Sequence, residues 1–471
     1  MIKIILGVFA TVFILVSSIV VLYWRDVNYD PATQDLLIFF GLIPFALTFL
    51  MVMPFLIKKW YQEQQEKKNN PTLASEQDDT VQLAPEQIEW LHLNVFSSGA
   101  LSALGENDSI WDEIKNFKSA ELDQKLQNGY GLPILSYRIA DLDDLLGDEN
   151  EDDFTSLSAR QCRISALIKQ QLEHQSQTLW QVAEHLKKSS LFYEGQLVQE
   201  YRMHPAWIDP HAEVDDEPTL DRRAEQVARL NQLQIHLILA EDVLHTWDES
   251  DTQEQIEQFL ISLGYIPQKF HVEFHYWGKE TAYKNWLDLL QQIEKSPDTV
   301  SLILAVDSEI DQDIVDEKTW VSEHYIPSEF IGSCCLAATS VLINELLPQK
   351  MIKIALNEAQ LSNTLQHLNY EKLEQYQQEQ PFVMQLDDIT DLKVVKHLEH
   401  NFAQTPIEQH HYLFMKQSLG QTENIAKVFG FMLALQAPDD LVTLVYCCEQ
   451  QHTQSFIEKI EGDIEGDEVA V

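Results

Sequence analysis

Covalent or metal chemistry in this chain would have to come from a short list of side chains. There are five cysteines, Cys162, Cys334, Cys335, Cys447 and Cys448, and four of them sit as adjacent pairs inside apolar runs. A nucleophilic cysteine needs a lowered pKa, from a helix N-terminus or a nearby cation. GSCCLAATSV around Cys334 and LVTLVYCC ending at Cys448 offer small or apolar neighbours and no cation, so these thiols read as small buried hydrophobes in a reducing compartment. His397 and His400 could share a helix face, and His410 and His411 follow an acid-containing stretch. Either pair could begin a metal site, but neither has further ligands at fixed spacing, and both read as surface or helix-end histidines. The acid-rich run over residues 141–153 lacks the DxDxDG spacing of a calcium loop and reads as a solvated loop. Tyr201, Arg202, Met203, His204 and Pro205, beside Trp207, form an exposed-looking motif suited to recognition or to an ordinary loop. There is no CxxC, phosphate-binding GxxxxGK, GxGxxG or GxSxG. No catalytic residue, metal ligand or cofactor site is therefore assigned.

The elements that would position these residues alternate between strand and helix. Trp90–Phe96 reads as a strand, 110–126 as a helix, and 157–186 as a long helical region broken near Ser176. Then come strand 234–240, helix 252–263, strand 269–276, helix 282–294 and the nearly all-apolar strand 300–306. Runs of that kind are buried on both faces, which predicts a doubly wound α/β core. The end repeats the style, with helices over 392–402 and 420–435, a strand over 441–448, and a last strand or helix over 456–460. Two α/β halves fit this order.

Residues 4–24 and 36–57 carry no charge, and each is long enough to cross a bilayer core of roughly 20 residues. Lys3, Lys58, Lys59, Lys67 and Lys68 lie outside the pair, while the loop 25–35 holds one Arg and three Asp. The positive-inside rule then places both termini and the large domain in the cytoplasm. The expected plan is a transmembrane hairpin over 1–61, a flexible linker over 62–85, a soluble domain over 86–471, and an acidic tail at its end. The expected arrangement is two-pass. The formal net charge of −43 argues against nucleic acid as a partner and against the domain lying flat on anionic lipid.

Several stretches taken in order resemble one family. Val306, Asp307 and Ser308 end a strand, Pro327, Ser328 and Glu329 open the next, and KQSLGQTENIAKVFGFMLAL carries Lys416 and Gly420. VFSSGALSALGENDSIWDEI lies at the start and LVTLVYCC late. These are similar to the β-ketoacyl synthases and the wider thiolase-like fold, over most of residues 86–471. The resemblance implies a doubled α/β domain of mixed sheets with packed helices. In an active member a cysteine opens a helix and two histidines support it. The matching stretches here are YWGKETA (276–282), without Cys, Gln421 in place of one His, and QLDDITDL around Asp387 and Asp388, without the other. The resemblance thus implies the fold without the chemistry. A thiolase-like domain on a membrane hairpin further resembles accessory proteins of bacterial type VI secretion systems. It implies a scaffold or adaptor that assists membrane-complex assembly or effector loading. Its partners would be inner-membrane or secretion-apparatus proteins, with the bilayer itself and a homodimer as further implied partners. The alternative is a membrane-associated acyl-processing enzyme with an altered site.

Overall fold

The computed structural model describes residues 88–148, 158–200, 227–322 and 324–460, with isolated positions between 13 and 43. Two compact units divide at Glu86 and Gln87. The hairpin, the linker, the Tyr201–Pro205 motif with Trp207, and the acidic tail lie outside the described residues. Among the described residues no helix is long and apolar enough to cross a membrane.

Ten strands form the main path of the large sheet. They are β1 (Glu89–Ser102), β2 (Gln232–Ala240), β3 (Phe270–Trp277), β4 (Thr299–Ser308), β5 (Glu329–Ala338), β6 (Lys350–Leu356), β7 (Val383–Gln385), β8 (Tyr412–Phe414), β9 (Thr443–Tyr446) and β10 (Gln454–Lys459). Their spatial order is β8-β7-β9-β10-β6-β1-β5-β4-β2-β3. Read outward from the β1–β6 pair, each half repeats one pattern. In the first half β2 pairs in parallel with β3 and β4, β5 runs antiparallel to β4, and β1 antiparallel to β5. In the second half β7 pairs in parallel with β8 and β9, β10 runs antiparallel to β9, and β6 antiparallel to β10. β1 and β6 join the halves antiparallel. This is the doubled mixed α/β arrangement expected for residues 86–471.

Among the described residues ten α-helices accompany the sheet: α1 (Asp108–Lys115), α2 (Ala140–Asp148), α3 (Ala159–His174), α4 (Ser176–Glu200), α5 (Glu249–Ser262), α6 (Ala282–Glu294), α7 (Gln312–Val321), α8 (Leu361–His367), α9 (Leu392–Phe402) and α10 (Ala426–Ala434). They obey the same duplication. α5 and α9 connect the first two parallel strands of each half, and α6 and α10 connect the second and third. Strand alternation sorts the core into layers. On β4, Ile303 and Ala305 face a central cluster with α6 and α10, while Leu302 and Leu304 face an outer cluster with α3, α4 and α5. On β9, Val445 faces the centre and Leu444 and Tyr446 face α8 and α9. Trp286 of α6 meets Phe431 of α10 edge-on, with ring centroids 5.3 Å apart. The helix starts are set locally. Ser158 caps α3 in a capping box with Gln161, and Asp248, Asp311 and Asp391 cap α5, α7 and α9.

Three expectations need correction. The helix expected over 110–126 ends at Lys115, and Glu121–Gln127 pairs with Pro133–Ser136 as a two-stranded sheet. Leu122 and Leu126 have helical spacing, but Asp123 is tied into the hairpin by Ser136 and Arg138. The acid-rich run is not all loop: its first part is α2, and Asp143 pairs with Arg138 and Arg163. The helix expected from Gly420 starts only at Ala426, because Gly420 has φ +58° and cannot join a right-handed helix. The break near Ser176 is present, with Gln175 closing α3.

Candidate functional site

The carboxyl ends of β3, β7 and β8 carry the stretches that the resemblance assigned to a cysteine and two histidines. In open α/β sheets this end is where ligands are bound. After β3 the chain turns through Gly278–Thr281 into α6. Thr281 makes no side-chain cap, and the Thr281 and Ala282 amides donate to the Gly278 carbonyl at 3.0 and 2.9 Å. A side chain at Gly278 would collide with the Glu241 carboxylate, 2.2 Å from where its Cβ would stand.

Charged side chains join the three stretches. Lys279, after β3, pairs with Glu423, which precedes α10. Lys416, after β8, reaches Glu423 at 2.8 Å and Asp388, after β7, at 3.0 Å. A second cluster lies alongside: Lys427 of α10 pairs with Asp387 at 3.3 Å and Glu449 at 2.7 Å. Burial alone would raise the Glu423 carboxyl, but the ammonium groups of Lys279 and Lys416 hold it below the usual carboxylate range. Asp388 is likewise held low, against burial, by Thr390 and Lys416. Burial works against the charge on Lys416, yet its two carboxylates keep its pKa raised. At neutral pH the strand ends are bridged by a chain of alternating charges.

The motif residues of the resemblance also meet. Ser328 Oγ donates to the Leu419 carbonyl at 2.6 Å and lies 2.6 Å from Thr422 Oγ1, and the Gln421 amide donates to the Ile326 carbonyl at 3.0 Å. A Cβ at Gly420 would stand 2.4 Å from that carbonyl oxygen, so the turn requires glycine. Asp307 accepts from Arg160 Nη2 at 2.8 Å, and Arg160 also forks onto Asp242 at 2.9 and 3.0 Å. Burial raises the Asp307 carboxyl, while Arg160 is held charged by Asp307 and Asp242 in spite of its own burial. Glu329, fully buried, accepts from Arg163 Nε and Nη2 at 2.7 and 2.6 Å, from Ser308 Oγ at 3.0 Å and from the Ile139 amide at 2.7 Å. These acids clamp α3 to β4 and β5.

The remaining sequence candidates separate. Cys334 and Cys335 are buried in β5 on opposite faces, one toward the central cluster and one toward the outer. Burial pushes the Cys334 thiol well up and Cys335 to about 12. Cys447 and Cys448 reach the site beside Asp387, but burial and that carboxylate raise both, Cys448 to about 12. Cys162 is raised by burial as well. His397 faces Asn401 at 3.1 Å, while His400 is exposed. His411 is buried, with Nδ1 accepting from the Glu408 amide at 2.9 Å and Nε2 against the Gln378 carbonyl at 3.2 Å, so neither nitrogen is free for a metal. Sequence reasoning missed Lys279, Glu423 and Lys427. Nothing local marks them, because their partners lie on other strand ends.

Comparison with known proteins adds the following. No family model matches the chain. No curated protein matches it. Among solved structures it is similar to the ishigamide ketosynthase/chain length factor at TM-score 0.42 and 9% identity, covering 78% of this chain and 99% of that one. It is also similar to the ketosynthase from module 6 of the bacillaene synthase from Bacillus subtilis 168, at TM-score 0.43 and 8% identity, covering 79% and 72%.

Proposed function

We propose that residues 86–471 form a non-catalytic thiolase-like domain, and that the protein is a membrane-anchored scaffold or adaptor rather than an acyl-transfer enzyme. One observation carries this reading: Lys279, Glu423, Lys416 and Asp388 form one ion chain across the strand ends where the resemblance puts a thiolate and two imidazoles. Two others support it. All five thiols are shifted away from the thiolate, and the two halves repeat one strand order as the family's doubled fold requires.

With the charge-free segments 4–24 and 36–57, the setting that fits is the inner membrane of a bacterium. The specific role we propose is assisting assembly of a type VI secretion membrane complex, or loading its effectors. The test is co-purification of the full chain from mild detergent. Membrane-complex subunits should come down with it and be lost when residues 1–61 are deleted. Unimpaired secretion after that deletion would overturn the anchored-scaffold reading.

A further inference from the structure

At the outer edge of the first half three side chains converge from two paired strands. His236 of β2 and Glu273 of β3 are directly opposed in the parallel register, and His275 lies two residues further along β3. Alternation puts all three on one face, while Ile235, Leu237 and Phe274 face the outer apolar cluster on the other. His236 Nδ1 is 3.1 Å from His275 Nε2 and 3.5 Å from Glu273 Oε2, and one donor atom of each residue lies within 4.8 Å of the others.

We infer that His236, Glu273 and His275 form a zinc-class divalent metal site that staples the edge strand β3 to β2. A tetrahedral ion with bonds of about 2.0–2.1 Å separates its ligand atoms by roughly 3.3 Å, and the two measured separations bracket that value. Two imidazoles and one carboxylate are a donor set that zinc accepts with a water in the fourth position. His236 is nearly buried while the Glu273 side chain is 52% exposed. A metal therefore reaches the site from solvent past Glu273, along an edge where no further described strand pairs with β3. His236 Nε2 is buried without a hydrogen-bond partner among the described residues. Metal on Nδ1 would fix the ring proton on Nε2.

The inference does not depend on the proposed function, since none of its three residues belongs to the ion chain, although β3 also leads to Lys279. The test uses the full chain, untagged, in mild detergent, stripped with a chelator and dialysed against zinc chloride. Wild type should retain one zinc per chain and show a higher unfolding temperature with zinc than without. Because β3 is an edge strand, Glu273→Gln and His275→Ala should fold with little change. Each should weaken zinc binding at least about tenfold, as loss of a direct ligand does at minimum when loss of its support costs 10–100-fold, and should erase the thermal shift. No stoichiometric zinc in wild type overturns the inference, as does zinc retained equally by the Glu273→Gln/His275→Ala double variant. The second result would place the metal elsewhere in the chain.

Discussion

Replacing Arg163 by methionine should be among the most damaging single changes in the domain. The guanidinium gives Glu329 two hydrogen bonds, from Nε at 2.7 Å and Nη2 at 2.6 Å, and it also holds Asp143 and the Ile139 carbonyl. Glu329 has no solvent exposure, so its carboxylate cannot recover water when the cation leaves. Only Ser308 Oγ and the Ile139 amide would remain as donors. Removing one partner of a buried pair costs about 3–5 kcal/mol, because the orphaned charge stays buried. Much of that cost belongs to the stranded carboxylate, so neutralising it should recover part of the loss. In urea unfolding followed by tryptophan fluorescence, Arg163→Met should lose about 3–5 kcal/mol. Arg163→Met/Glu329→Gln should be less destabilised than the sum of the single losses, by about 2 kcal/mol of coupling. A loss under about 1 kcal/mol for Arg163→Met, or additive losses, would refute the claim that this pair locks α3 onto β5.

Three further outcomes follow from the geometry. Glu309, 3% exposed, is raised from 4.5 to about 7, by burial and then by Asp307. Between those values the folded carboxyl keeps a proton that the unfolded one has released, so stability falls as pH rises through the window. Glu309→Gln should then gain on the order of 3 kcal/mol over wild type at about pH 8 but little at about pH 4, read from unfolding midpoints across pH; equal effects at both would contradict it. Gly420→Ala should cost at least about 1–2 kcal/mol for the left-handed backbone alone, with more from its clash with the Ile326 carbonyl; an unchanged melting temperature would count against the turn as described. Asp387→Asn should speed alkylation of Cys448, since that carboxylate follows burial as the cause of its raised thiol, and each pKa unit regained is about tenfold more thiolate; unchanged labelling kinetics would show that burial alone governs it.

Much of the fold was legible where strands are buried on both faces. Gln234–Ala240, Val300–Val306 and the GSCCLAA run read as strands because the layers on either side keep them mostly apolar, with His236, Ser301 and Ser333 the buried exceptions. The three-residue strands β7 and β8 were not legible, being shorter than any periodicity can register. β6 was passed over although Lys353 alternates with Ile352 and Ile354, which is the signal that would have found it. The helix expected over 110–126 failed because Leu122 and Leu126 satisfy helical spacing, whereas the hairpin they occupy is held by ion pairs that no local pattern encodes. That YWGKETA, Gln421 and QLDDITDL hold no Cys or His was readable in the sequence. What stands there instead was not, because Lys279 meets Glu423 only through the duplicated topology. The same holds for the edge cluster: HVEFHY places Glu273 and His275 on one face, but His236 joins them only through the parallel register of β2 and β3.

The central claim, that the strand-end site holds an ion chain in place of acyl-transfer chemistry, is tested most directly by intact-mass measurement of the full chain after incubation with a short acyl thioester. The account predicts unmodified protein at neutral pH. A stoichiometric acyl adduct on Cys447 or Cys448, lost on substitution of that residue, would contradict it.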